Sequence, residues 1–205
     1  MPEIEIVSLF KEIQVGDKTA FDMLFNHYYS KLVTFAKQYT KQQESAEEIT
    51  SELFVKLWLK RETLLKVLHP EVYLYVAIKN SCLNFMRSHQ KRKHVFAEKE
   101  ESAVFEGICN GHMSFLEDKE LRKLLDEAVA SLPEQRRMVF KLIKEDGLKT
   151  AAVAQILGIS KRTAENQLYK AVKTLAETLS DYLGYHPQSK VARKQQLRDL
   201  SLLFL

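Results

Sequence analysis

Six polar side chains between Lys161 and Lys170 are the residues best placed to do chemistry. Lys161, Arg162, Thr163, Asn166, Gln167 and Lys170, wound on a helix, all point away from a seam of Ala164, Leu168, Ala171, Val172 and Leu175. Lysine suits a phosphate oxygen as a point charge, while Arg, Asn and Gln can each make paired hydrogen bonds to a base edge in the major groove. The backbone amides of a helix N-terminus add a site for a phosphate oxygen. Glu165 sits in the middle of this face and opposes phosphate. An ordinary solvated helix face accounts for the same pattern, so the surroundings have to decide.

Other reactive groups are sparse. Glu48 and Glu52 are four residues apart and share a helix face, a spacing that could hold a metal ion, yet no histidine stands near them. A solvated acidic patch that also complements the helix dipole explains them without a metal. Cys82 and Cys109 lie too far apart for a disulfide framework and in no metal-ligand spacing, which fits a reducing cytosol. No phosphate-binding glycine loop, His-Glu-x-x-His, Glu-x-x-His or dinucleotide turn occurs. The expectation is a protein that is not an enzyme and needs no metal or cofactor.

The elements that must position these residues read as all-α, because apolar residues recur at three and four and nowhere alternate over a strand's length. After Gly16, Asp17 can cap a helix whose stripe is Phe21, Leu24, Phe25, Tyr28, Leu32, Phe35 and Tyr39, read as core. Ser45-Ala46-Glu47-Glu48 reads as a capping box, with Ser45 as cap and Glu48 reaching back, ahead of a seam of Ile49, Leu53, Phe54, Leu57 and Trp58. Pro70 can open a third helix, from about Glu71 to Gln90, with apolar positions at Tyr73, Val76, Ala77 and Leu83 and an amide at Asn80.

Charge is unevenly spread although the net value is only +4. Lys79 to His94 holds five cations and no acid, whereas Val95 to Glu120 holds seven acids and two lysines. A basic surface followed by an acidic linker is the natural reading. Helical pattern resumes at Leu121, Leu124, Leu125 and Val129, breaks at Leu132-Pro133, and returns with Val139, Phe140 and Ile143 until Gly147 offers a left-handed cap. A short helix with Ala151, Ala154 and Ile156 follows. Gly158 then supplies a tight turn, Ile159 an anchor and Ser160 a cap for the helix that carries Lys161. Short helix, tight turn and second helix make a helix-turn-helix.

Taken together, SAEEITSELFVKLW, PEVYLYVAIKNSCLNFMRSHQKRK, the acidic linker and LPEQRRMVFKLIKEDGLKTAAVAQILGISKRTAENQLYKAVKTLAETL resemble an extracytoplasmic-function sigma factor of the sigma-70 superfamily. The resemblance runs from about Gly16 to Leu183. It implies two small helical domains: a promoter-melting domain two over 1–95, an acidic linker over 96–116, and a helix-turn-helix domain four over 117–184, followed by a tail over 185–205. It further implies that Glu48 and Glu52 contact core RNA polymerase, with Ser51 standing where the family often has glutamine. Asn80, near a loop from Leu64 to Pro70, would accept an unstacked promoter base, and Lys79 and Arg87 would hold the strand backbone. Lys161 to Lys170 would recognise the upstream promoter element in duplex DNA. Ala152 replaces the acidic residue common before the turn.

The resemblance is nearest to sigma factors of the Bacteroides type, which are paired with membrane anti-sigma factors, and so adds an anti-sigma factor to the expected partners. The competing class is a dimeric helix-turn-helix repressor with a helical N-terminal domain that binds a ligand or dimerises. No run approaches the roughly 18 apolar residues of a membrane span, and the acidic Pro2-Glu3-Ile4-Glu5 is unlike a signal peptide, so a cytoplasmic protein without membrane insertion is expected. The tail ends in Leu200-Ser201-Leu202-Leu203-Phe204-Leu205, which either packs intramolecularly or docks a partner.

Overall fold

Apolar spacing of three and four is realised in helix after helix. The computed structural model describes residues 5–95 and 116–180, and among these there is no strand. The expected linker (96–116, of which only Leu116 is described) and tail (185–205) lie outside them. Contacts divide the chain into two compact units, with the main break after Glu98.

In the first unit, α1 (Ile6–Gln14) leads to α2 (Lys18–Thr40), α3 (Gln43–Leu59), a 3₁₀ helix (Arg61–Lys66) and α4 (Pro70–Val95). The α2 helix is the centre of the packing and touches α1, α3 and α4. Its cap is as expected: Asp17 adopts an extended backbone and its carboxylate accepts from the amides of Thr19 at 2.7 Å and Ala20 at 3.2 Å. Two of the four amides orphaned at a helix start are thereby satisfied. Leu24 and Leu32 are fully buried and Tyr28 and Phe35 nearly so, but Phe21, Phe25 and Tyr39 are only half-buried.

Three readings of this unit need correction. The helix expected at Ser45 begins at Gln43, with Gln42 as the capping residue and no side-chain cap, and Ser45 Oγ instead donates to Gln42 Oε1 at 3.3 Å. The expected capping box therefore does not form. Trp58 is half-buried rather than core, with the Arg61 guanidinium 5.1 Å from its ring centre. On α4, which opens with Pro70 as expected, the buried face is Leu74, Tyr75, Ile78 and Cys82; Val76, Ala77 and Leu83 are at its margin and Tyr73 is exposed. Burial pushes the Cys82 thiol up to about 11, so it packs as a neutral apolar group.

The second unit contains α5 (Leu116–Ser131), α6 (Glu134–Lys144), α7 (Thr150–Leu157) as far as Ala154, and α8 (Lys161–Ser180). Its core joins Ala128, Val129 and Leu132 to Phe140 of α6 and to Ala171 and Leu175 of α8, with Leu125, Leu168 and Val172 packed around them. The small side chains of the two alanines let α8 approach its neighbours closely. Of the apolar residues expected inside, Leu124 and Ala151 are exposed and Ile143 and Ile159 half-buried, while Met138, Leu142 and Val153 take the interior. Gly147 and Gly158 both have the left-handed backbone their turns were expected to need, with φ of +79° and +71°.

Replacing Asp17 by alanine removes both cap bonds and should lower stability by about 0.5–2 kcal/mol, read as a shift in the urea midpoint with an unchanged slope.

Candidate nucleic-acid interface

The turn before α8 is closed locally. Ile159 donates its amide to the Ala154 carbonyl at 3.0 Å, ending α7, and Ser160 Oγ accepts from the Thr163 amide at 3.0 Å, starting α8. With the seam of Ala164, Ala171 and Leu175 turned inward, the phase of α8 is set. Lys161, Arg162, Asn166 and Lys170 are then exposed together, as expected. Thr163 and Gln167 are not fully outward: both are half-buried. The Thr163 hydroxyl lies 2.8 Å from Ser160 Oγ, inside the cap, and the Gln167 carbonyl oxygen accepts from Arg136 Nε of α6 at 3.4 Å. Glu165 lies on the exposed face, and its carboxylate is 3.8 Å from Lys161 Nζ, which lessens its repulsion of phosphate and also draws on that lysine's charge.

Sequence reasoning missed two residues here. Tyr169 is 59% exposed, one turn beyond Asn166 on the same stripe, and its signal is hidden because a tyrosine in an apolar-periodic helix reads as core. Arg136 lies thirty-one positions before the glutamine that it touches, a contact that only the packing of α6 on α8 creates.

On α4, Asn80, Asn84 and Arg87 are exposed at spacings of four and three, with the Arg87 guanidinium donating to Asn84 Oδ1 at 3.4 Å. Tyr73 is 40% exposed seven residues before Asn80, so an aromatic ring joins the amide and the cation on one face. A ring, an amide and a cation together are the means by which unstacked bases are held. Asn80 is about 15 Å along the helix axis from Pro70. It therefore shares a helix with the end of the Leu64–Pro70 loop without adjoining it. In that loop Leu64 is buried, whereas Leu65 and Leu68 are exposed. Lys79 is half-buried beside Asn80.

On α3, Glu44, Glu47, Glu48 and Glu52 are all exposed, so the expected acidic face exists. Glu52 pairs with Lys56 at 2.6 Å and Glu47 accepts from Gln43 at 2.6 Å. Beside this face runs an open groove of about 470 Å³ between α2 and α3, walled by Phe21, Phe25, Phe54, Val55, Trp58 and Leu59. No group of three or more potential metal ligands occurs among the described residues. Nor does any described helix have the length and apolarity to cross a membrane.

Two family models match one stretch in each unit: Sigma-70 region 2 matches residues 24–92, and Sigma-70, region 4 matches 122–175. The ECF RNA polymerase sigma-E factor of Escherichia coli is 25% identical over 170 residues, 80% of this chain and 88% of that protein. The ECF RNA polymerase sigma factor SigL of Mycobacterium tuberculosis is 25% identical over 159 residues, 77% of this chain and 88% of that one. Two solved structures share the fold. The sigma factor RpoE of Bartonella quintana, determined with the anti-sigma factor NepR, has a TM-score of 0.55 at 19% identity, covering 78% of this chain and 96% of its own. CnrH, determined with the cytosolic domain of CnrY, has a TM-score of 0.52 at 17% identity, covering 85% and 97%.

The chain belongs to the sigma-70 superfamily, in its extracytoplasmic-function group. It is a sigma factor, a DNA-binding subunit that directs core RNA polymerase to promoters for the initiation of transcription.

Proposed function

We propose that three helix faces divide this work. The exposed face of α8 reads the upstream promoter element, the Tyr73–Arg87 stripe of α4 holds the melted strand, and the acidic face of α3 binds core polymerase. The observation that carries the reading is the joint exposure of Lys161, Arg162, Asn166 and Lys170 at the capped N-terminus of α8. Domain two then occupies 1–95 and domain four 117–184, joined by the acidic linker over 96–116. The protein acts in the cytoplasm, is not an enzyme and requires no metal or cofactor.

An anti-sigma factor is the further partner. The Bartonella relative was crystallised with one, and the apolar groove beside α3 leaves Val55 and Leu59 uncovered, 58% and 71% exposed. Assignment to the Bacteroides-type subgroup rests on the sequence resemblance alone. The dimeric repressor reading gains no support from the described residues.

Charge reversal at Glu48 and Glu52 to lysine should weaken core-polymerase binding about tenfold or more while circular dichroism stays unchanged, since both side chains are off the seam. Core affinity equal to wild type would remove α3 from the interface.

Asn80→Ala should slow open-complex formation more than it weakens duplex binding, and a pre-melted bubble should restore much of the loss, because the cost of unstacking a base is a few kcal/mol. Absence of rescue would make Asn80 a solvated position.

In the holoenzyme, Lys161→Ala should weaken all promoters alike and flatten the salt dependence, as expected for a phosphate contact. Arg162→Ala and Asn166→Ala should each relax preference at one position of the upstream element, at about 1–3 kcal/mol. Transcription across a library randomised in that element separates the two behaviours, and unaltered preference in every variant would mean a merely solvated face.

A further inference from the structure

Gln167 lies at the half-buried edge of the α8 face that reads DNA in the reading just proposed, and this inference rests on that reading. Its carbonyl oxygen accepts from Arg136 Nε at 3.4 Å, and both side chains are half-buried. A glutamine that pairs with adenine must present both ends of its amide, the oxygen to the N6 amino group and the nitrogen to N7. Arginine has five N–H donors and no acceptor, so Gln167 can face it only through oxygen. The amide nitrogen is then the end left to point elsewhere.

We propose that Arg136 is a positioning residue that fixes the Gln167 amide with its oxygen turned to α6, so that the residue can only donate, which suits the paired acceptors N7 and O6 of guanine or O4 of thymine and forgoes the two-ended pairing with adenine N6 and N7. Arg136 belongs to α6, which packs on α8, so it can act on base choice from outside the recognition helix. The neighbouring Arg137 guanidinium is engaged elsewhere, donating to the Ala130 carbonyl at 2.6 Å and tying α6 to the end of α5. A promoter preference is thus set by a residue that need not touch a base.

The test uses holoenzyme and the library randomised in the upstream element. Arg136→Met keeps the aliphatic stem and removes every donor, which lets the amide turn. At the one position where Gln167→Ala changes preference, Arg136→Met should raise the use of adenine relative to guanine or thymine roughly tenfold. In a Gln167→Ala background the same change should have no effect on preference, because the group it orients is gone. Thermal unfolding of each variant monitors folding, and Gln167→Ala, whose side chain carries no core packing, keeps the test open if Arg136→Met folds poorly: an adenine preference already present in the wild type at the Gln167-dependent position would overturn the proposal. So would an Arg136→Met that leaves preference intact while lowering output on all sequences alike, which marks a phosphate contact, or one that shifts preference equally in the Gln167→Ala background. If Gln167→Ala retains wild-type preference while Arg162→Ala or Asn166→Ala loses it, the α8 interface stands and only the role given to Arg136 falls. If none of these variants alters preference, the α8 interface itself fails and takes this proposal with it.

Discussion

The packing of Ala171 and Leu175 of α8 onto Phe140 and Val129 is the contact on which the second unit depends. Helices of eight to twenty residues are marginal in water on their own, so they persist only when an apolar seam is buried against another element. That burial does more than stabilise. It fixes the rotation of α8 about its axis, and a slip of one residue would turn every side chain by about 100°. The same alanines that let α8 sit close to its neighbours therefore decide that Arg162, Asn166 and Lys170 face outward together. Stability and the proposed DNA readout in this unit are one constraint viewed from two sides of a helix.

The first unit meets the same constraint with larger side chains and does not close it completely. Leu24, Leu32 and Phe54 are buried, but the groove is left open: Phe21 meets Trp58 edge to face with ring centres 5.1 Å apart, and Phe21 and Phe25 each meet Phe54 edge to face. Apolar surface left beside four exposed glutamates suits the proposed docking of another macromolecule, in which buried aromatic groups supply the energy and charge supplies the choice of partner. Tyr28 ties this region to the start of α4 through its hydroxyl, 3.1 Å from Glu71, so α2 connects the acidic face to the helix whose outer stripe carries Asn80 and Arg87.

What the sequence made legible follows from where its pattern is unambiguous. The α8 seam is readable because Ala164, Ala171 and Leu175 alternate cleanly with charged and amide residues. The Asp17 and Ser160 caps are readable because each short polar side chain directly precedes a helix. The buried face of α4 is not, since Tyr73, Leu74, Tyr75, Val76 and Ala77 are all apolar and periodicity cannot choose among them; contact with α2 and α3 makes the choice. Ser45 misleads for the opposite reason. It carries a cap signature, yet Gln42 and Gln43 can start the helix three residues earlier, which moves Ser45 into the first turn. The helix α1 is missing from the sequence reading although Ile6, Leu9, Phe10 and Ile13 carry the spacing of a buried face, and the last three are buried. Arg136 on Gln167 is beyond reach of sequence, because no local pattern encodes a side-chain contact between two helices.

The charge on the proposed DNA faces is small enough to decide how the protein must work. The α8 face offers Lys161, Arg162 and Lys170, and Glu165 draws on the first of these at 3.8 Å. Each neutralised phosphate contributes a salt slope of about −0.9, and strongly salt-dependent duplex binders make roughly 6–10 such contacts. Three cations fall well below that range, and a net charge of +4 adds little long-range attraction. Tight binding then has to come from joining weak contacts on one scaffold, where the second contact is made at a high effective concentration once the first is in place. Core polymerase is that scaffold for a sigma factor. An arrangement with weak faces and an external scaffold keeps the free chain from occupying promoters, and under the proposed division of work it makes the α3 face the point at which promoter binding is switched on.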